Sequence, residues 1–277
     1  MYLTRHQTSQ GPRWAKDDGL LPASFGLDLL LQLPKTQLAP FLAAFPHGPK
    51  PSGPLLAPVE AQQEVWAAGV TYLRSREARE AESSVKDVYT RVYEAERPEL
   101  FFKSVGWRVA GHGQPIRVRD DSRWNVPEPE LTLVVNAQRE IVGFCVGNDV
   151  SSRDIEGENP LYLPQAKVYE GSCALGPGIV LQDADALRDL TIRVVVSRGG
   201  RAVFDDQTST SQMKRKLEEL VAYLAMELDF PQGAFLMTGT GIVPPHDFSM
   251  EGGDSVRITI GTLTLENEVS STPRAGK

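Results

Sequence analysis

Residues 125–152 read NVPEPELTLVVNAQREIVGFCVGNDVSS, and the pairing of the two apolar runs in this stretch decides the fold. Leu131–Asn136 and Ile141–Asn148 flank the short polar turn Ala137–Glu140. Paired as an antiparallel hairpin, they set Glu128 opposite Asp149, with Glu130 two residues along on the same face, because side chains alternate along a strand. A lone Glu-x-Glu on an edge strand is usually a solvated face. Here LTLVV follows the pair and IVGFCVG precedes Asp149, so the carboxylates border strands that read as buried. Buried, unpaired carboxylates repel one another and lose hydration, which calls for a cation or a proton. An all-oxygen donor set with no nearby His or Cys suits Mg²⁺, with Mn²⁺ or Ca²⁺ as alternatives, and disfavours zinc. Three protein ligands leave positions for water and substrate.

Working outward, the 277-residue chain is long enough for one large domain or for a small domain and a larger one, and 41% hydrophobic residues supply a sizeable core. The balance of 29 basic against 36 acidic residues gives a net charge of −7, and the longest basic run is the MKRK of 213–216, read as the solvated face of a helix. Nucleic acid is therefore not an expected partner. Cys145 and Cys173 each sit in apolar surroundings without CxxC spacing and read as buried thiols of a reducing compartment. The first residues lack a leader-like apolar core and LDLLLQL is too short to span a bilayer, so the expectation is a cytoplasmic protein with no membrane partner.

The Pro- and Gly-rich stretch PHGPKPSGPLLAP (46–58) reads as a linker, dividing a small N-terminal domain (1–60) from a catalytic domain (61–277). EVWAAGVTYL and LFFKSV read as strands, and the charged segment Ser75–Glu96 between them as a helical cover over a site. SSRDIEGENPLYLPQAKVYEGS reads as irregular. LTIRVVVSRGGRAVFDD is a hairpin around its Gly pair, and VRITIGTLTLENEV another around Gly261-Thr262. Ser211 is expected to cap a helix running to Leu228, with Met213, Leu217, Leu220, Val221, Leu224 and Leu228 on its core face. Many short strands, few helices and no βαβ rhythm give a β-rich α+β fold.

Two further places carry chemistry. Lys167, in an apolar irregular stretch, is suited to hold an anionic substrate or to act as a base once burial lowers its pKa. TGTGIVPP (238–245) offers backbone N–H groups and Thr240 to a carboxylate. No GxGxxG or P-loop pattern occurs, and the four histidines show no metal-ligand spacing.

Taken in order, EPEL, NDVSSRD, LPQAK and TGTGIVP resemble the fumarylacetoacetate hydrolase superfamily over about residues 65–270. The resemblance implies a β-roll catalytic domain and assembly as a homodimer or homotetramer. It also implies Mg²⁺ held by Glu128, Glu130 and Asp149, and a 2-oxo acid substrate beside Lys167 and Thr240. Hydrolytic members carry a His in the lid, where this chain reads GVTYLRSRE with Ser75 in its place. RPELFFK, VAGHG and ENPLYLPQAKVYEG instead resemble the branch that dehydrates 2-keto-3-deoxy sugar acids such as the arabinonate or xylonate, giving 2,5-dioxopentanoate from a pentonate. That resemblance makes Lys167 and Glu99 the expected proton-transfer residues and places Ser75, Arg76 and Glu77 near the hydroxyl end of the sugar acid. The alternatives are an acylpyruvate or fumarylacetoacetate-type hydrolase, an oxaloacetate decarboxylase, and a sugar-acid binding protein without turnover.

Overall fold

The computed structural model describes residues 1–82 and 86–270. In chain order the first elements are β1 (Tyr2–Thr8), β2 (Gly11–Lys16), β3 (Gly19–Leu20), α1 (Leu27–Leu30), α2 (Lys35–Ala43), β4 (Leu55–Leu56) and β5 (Glu64–Gly69). The lid helices α3 (Leu73–Glu82) and α4 (Lys86–Glu94) follow, then β6 (Glu99–Val105), β7 (Ile116–Arg117) and β8 (Asn125–Val126). The hairpin is β9 (Pro129–Val135) and β10 (Ile141–Asp149), followed by β11 (Ser151–Ser152), α5 (Arg153–Glu158), α6 (Leu163–Lys167) and β12 (Cys173–Leu181). The chain closes with β13 (Thr191–Arg198), β14 (Arg201–Ser209), α7 (Leu217–Leu224), β15 (Ala234–Met237), β16 (Ser255–Ile260) and β17 (Leu263–Ser270).

A ten-stranded sheet runs β3-β2-β1-β12-β10-β9-β15-β5-β6, with β4 added beside β1, and a five-stranded sheet runs β14-β13-β16-β17-β7. The expected β-rich α+β architecture is what the chain adopts. β9 and β10 lie in the middle of the larger sheet and every residue of both is buried. The sheet face carrying Leu131, Leu133, Phe144 and Val146 shares a core with Ile192, Val194, Ile258 and Leu265 of the smaller sheet. The opposite face carries Val134, Val142 and Cys145 and packs on Leu27, Leu30, Leu38 and Leu42 of the N-terminal helices. Strict alternation therefore puts Glu128 and Glu130 on the second face, beyond the reach of the inter-sheet core. The strands of residues 2–20 join this same sheet through the β1–β12 pairing.

The hairpin register contains one device that alternation alone does not reveal. At the turn, Ile141 pairs with Val135, yet beyond Val142 the partners are Gly143–Val134 and onward to Gly147–Glu130. The extra residue is a β-bulge at Val142, and the Asp149 N–H donates to the Glu128 carbonyl at 2.9 Å as a result. Without it the strand would slip by one and Asp149 would leave the acidic face. Gly143, next to the bulge, lies where an added Cβ would stand 2.4 Å from the Val180 carbonyl oxygen of β12. Gly143→Ala is expected to cost about 2 kcal/mol of stability, because backbone must shift to relieve the clash. Denaturant midpoints check this, and an unchanged midpoint would remove the argument.

Four local expectations are corrected. The strand read over EVWAAGVTYL stops at Gly69, because Val70 takes φ 53° and turns the chain into α3 at Leu73. The segment after β11 is not irregular: it folds as α5, a 3₁₀ turn at Pro160–Tyr162 and α6. The helix read from Ser211 to Leu228 is only Leu217–Leu224. Ser211 does not cap it, since the N-cap position is Lys216, and Met213 forms a bridge with Tyr72. The MKRK run is likewise not a solvated helical face. Lys214 Nζ donates to the Tyr93 carbonyl at 2.6 Å, and the Arg215 guanidinium donates to those of Ala95 and Glu96 at 2.6 and 2.8 Å. These cations satisfy the orphan carbonyls at the C-terminal end of lid helix α4.

Candidate metal centre

Glu128, Glu130 and Asp149 each turn a carboxylate oxygen to a common point, all within 4.8 Å of one another. They are 3%, 1% and 1% exposed. The reason is the register just described: β9 supplies the two glutamates at i and i+2, and β10 supplies Asp149 opposite the first. The Asn148 side chain holds the turn of the strand end by accepting from the Glu128 N–H at 3.2 Å.

Three cations gather round this cluster. Lys167, the last residue of α6, places Nζ 2.6 Å from Glu128 Oε2, 2.9 Å from Asp149 Oδ2 and 2.6 Å from Ser151 Oγ. Lys103 Nζ lies 2.5 Å from Asp149 Oδ1 and also donates to the Val150 carbonyl at 3.2 Å and the Lys167 carbonyl at 2.5 Å. Arg153 Nη2 donates to Glu128 Oε1 at 2.9 Å. Glu130 differs from the other two ligands, for its Oε2 accepts from the Gly239 N–H at 2.7 Å and no ion pair to it is formed among the described residues. Burial first, then the neighbouring Asp149 and Glu128 charges, push the Glu130 carboxyl well above the usual carboxylate range.

That asymmetry is the test of fit for a metal. Glu128 and Asp149 are already balanced by cations, whereas Glu130 is a buried oxygen donor whose ionised form needs a further positive charge at the common point. A hard divalent cation supplies it, and the donor set is all oxygen. A pH dependence follows with a definite sign. Folded Glu130 binds its proton more tightly than the unfolded chain does. Metal-free stability therefore falls as pH rises from about 4.5 through the folded pKa. A cation displaces that proton, so the rise in Tm on adding Mg²⁺ is expected to grow between pH 5 and pH 8. A metal-induced shift independent of pH, measured against an EDTA control, would contradict it.

The cluster opens on a cavity of about 20 Å³ lined on one side by Glu128, Glu130, Asp149, Lys167, Gly239 and Thr240. The remaining wall is Ala68, Gly69, Val70, Ser75, Glu99, Phe101, Glu156 and Leu163. The space suffices for about one water. Val70, in its left-handed conformation, forms the wall at the base of the lid. Gly69 leaves room for Glu99, whose Oε2 would lie 2.1 Å from any Cβ built there.

Of the residues singled out from sequence, Glu99, Ser75, Lys167 and Thr240 meet the carboxylate cluster at this cavity. Arg76 does not. Its guanidinium is spent inside the lid, 3.4 Å from Glu80 Oε1, 3.9 Å from Glu94 Oε1 and 5.0 Å from the Tyr93 ring centroid. Glu77 also faces Arg76 and is absent from the cavity lining. Sequence reasoning passed over Lys103, Arg153 and Glu156. The first two had a visible signal, a lone cation inside the apolar strand LFFKSV and an arginine four residues after a ligand aspartate. Glu156 lies three residues beyond Arg153 on α5, the same helix face.

The fold and this site define a member of the fumarylacetoacetate hydrolase family: residues 64–270 match the model of the fumarylacetoacetate (FAA) hydrolase C-terminal domain, and the chain belongs to that family. Within it, the chain is 50% identical over 216 residues to "Probable 2-keto-3-deoxyxylonate dehydratase" of Haloferax volcanii, covering 77% of this chain and 74% of the relative. It is 45% identical over 208 residues to the 2-dehydro-3-deoxy-D-arabinonate dehydratase of Saccharolobus solfataricus, covering 72% and 69%. A solved structure of 2-keto-3-deoxy-D-arabinonate dehydratase complexed with magnesium and 2,5-dioxopentanoate superposes with a TM-score of 0.82 at 34% identity, covering 98% of this chain and 99% of that one.

Proposed function

We propose that the protein is a Mg²⁺-dependent hydro-lyase that dehydrates a 2-keto-3-deoxy sugar acid, such as the arabinonate or xylonate, to 2,5-dioxopentanoate in pentose catabolism. The observation that carries the reading is the buried Glu128–Glu130–Asp149 cluster with Lys167 Nζ at 2.6 and 2.9 Å from two of its members. The likeness to the two dehydratases supports it.

Glu128, Glu130 and Asp149 hold the ion, which when bound supplies Lewis acidity toward a 1-carboxylate-2-oxo group. Lys167 and Glu99 handle the protons. One accepts the C3 proton and the other delivers a proton to the C4 hydroxyl, which departs as water. The C3–H and C4–O bonds break, a C3–C4 double bond forms, and tautomerisation gives the aldehyde. Gly239, Thr240 and Ser75 all line the cavity, which supports a reading in which Thr240 serves the carboxylate end and Ser75 the hydroxyl end. No histidine lines the cavity among the described residues, which leaves a hydrolytic reaction without an imidazole base.

The test is incubation of purified protein with both C4 epimers of 2-keto-3-deoxypentonate, with and without EDTA, assaying 2,5-dioxopentanoate. Turnover of neither epimer would end this reading, and pyruvate release from acylpyruvates or oxaloacetate would replace it. The same reading keeps residues 1–60 as a small N-terminal unit ahead of 61–277, the family match beginning at residue 64, although β1–β4 of that unit, including the stretch read as a linker, extend the catalytic sheet through the β1–β12 pairing. It also includes a cytoplasmic homodimer or homotetramer, which light scattering tests. No helix among the described residues is long and apolar enough to cross a membrane.

A further inference from the structure

Glu99 lines the cavity from the first position of β6, and the chain reaches it from the end of lid helix α4 through Ala95-Glu96-Arg97-Pro98. These four residues belong to neither helix nor strand, and side chains from more than a hundred residues away hold them. Arg215, 9% exposed, donates from Nη1 to the Glu96 carbonyl at 2.8 Å and to Glu219 Oε1 at 2.6 Å. Its Nη2 donates to the Ala95 carbonyl at 2.6 Å and to the Val92 carbonyl at 3.4 Å. Arg97 Cζ stands 5.5 Å from the ring centroid of Tyr223, which shares α7 with Glu219, and Pro98 is buried. The remaining link is stiff, because Pro98 fixes its own φ and confines Arg97 to extended backbone. A shift at Glu96 is therefore carried on to Glu99.

The facing strand is tied to the same place. Gly69 of β5 pairs with Glu99, and two residues beyond it the Thr71 carbonyl accepts from the Lys214 N–H at 2.9 Å. Adjacent residues 214 and 215 thus fasten both strand ends at the point where Gly69 makes room for the Glu99 carboxylate.

We propose that Arg215 is a positioning residue for the dehydration, fixing the reach of Glu99 into the cavity by holding the Ala95 and Glu96 carbonyls. The inference deepens the proposed function and rests on it for one point, that Glu99 exchanges a proton with the substrate. A guanidinium suits the task, since its planar fork meets several acceptors in fixed directions where an ammonium is a point charge. Proton transfer requires hydrogen-bond reach, and a misplacement of about 1 Å costs up to about a hundredfold in rate. Arg215 is absent from the cavity lining, so its effect on rate passes through Glu99 and leaves the metal ligands in place.

The test is a double-mutant cycle on the full chain with Mg²⁺ and both C4 epimers of 2-keto-3-deoxypentonate, using Arg215→Met, Glu99→Gln and the double variant, with thermal melts to verify folding. Arg215→Met is expected to lower kcat about ten- to hundredfold with KM within about threefold of the parent. The double variant is expected to fall within about threefold of Glu99→Gln alone, because the residue that Arg215 positions is already disabled. Hydrogen exchange read by mass spectrometry is expected to be about tenfold faster over residues 95–99 in Arg215→Met. Arg215→Lys should recover part of kcat. Losses that multiply in the double variant, a parent-like kcat in folded Arg215→Met, or unchanged exchange over 95–99 would each overturn the role while leaving the dehydratase reading intact. A parent protein inactive on both epimers would end that reading and this role with it. Should Arg215→Met fail to fold, Arg215→Lys replaces it in the cycle, with the same non-additivity expected and multiplied losses overturning the role.

Discussion

Glu130→Gln is expected to lose metal-dependent turnover by about a thousandfold or more while folding at least as stably as the parent protein. The two halves of this result have one cause. In the metal-free protein, Glu130 is a buried carboxyl pressed by Asp149 and Glu128, and it accepts a hydrogen bond from the Gly239 N–H at 2.7 Å. Glutamine keeps an oxygen for that donor and turns an amide toward the two acids, so repulsion becomes attraction. The expected gain in metal-free stability at pH 7 is about 1 kcal/mol. The ion, however, loses one of its three charged ligands, and the Lewis acidity it brings is worth several kcal/mol of barrier. Melting curves in EDTA and in Mg²⁺ separate the two effects. The variant should melt no lower than the parent in EDTA and should lose the metal-induced rise. A variant that melts far lower in EDTA would show that Glu130 is held by something other than the arrangement described.

Lys167→Met is expected to behave oppositely, losing both turnover and stability. Methionine matches the length of the side chain but leaves Glu128 Oε2, Asp149 Oδ2 and Ser151 Oγ without the ammonium that each meets within 2.9 Å. Removing one partner of a buried ion pair costs about 3–5 kcal/mol, because the remaining charges stay desolvated. Mg²⁺ should restore part of that loss by neutralising the same carboxylates. Turnover should not return with it: a positioned acid or base contributes about 10²–10⁴-fold, and Lys167 faces the cavity from the ligand side. Exchange of the C3 protons of 2-oxopentanoate into D₂O, followed by NMR, divides the roles. If Lys167 takes that proton, exchange disappears in Lys167→Met and survives in Glu99→Gln; the reverse pattern transfers the role to Glu99.

The hairpin and its acids were legible because both rest on short-range rules. Two apolar runs around a polar turn pair antiparallel, and alternation then fixes which residues share a face. Counting outward from Ala137–Glu140 places Glu128 opposite Asp149, and the β9–β10 ladder continues to that pair. The bulge at Val142 that makes this register hold was not legible, since a bulge is chosen by how β10 also meets β12 and not by its own residues. The lid shows the same division. Charge and helix propensity marked residues 75–96 as a cover, whereas the capping of α4 by Lys214 and Arg215, and the bond from Thr71 Oγ1 to the Thr238 carbonyl just after the break at Val70, span more than a hundred residues. The shortened α7 was misread because a heptad-like stripe continues past Leu224, but Met213 was drawn to Tyr72 instead.

By itself, then, the sequence determined the donor chemistry: three carboxylates on one face of a buried hairpin, and a lysine and a threonine following in order. It could do so because donor type is a property of each residue and face is a property of the strand repeat. Only the tertiary structure decided which charges surround those donors. Lys103 comes from β6, Arg153 from α5 and Lys167 from α6, and no periodicity relates them. Electrostatic balance depends on distance in space, which long-range strand pairing sets. That balance leaves Glu130 in need of a cation.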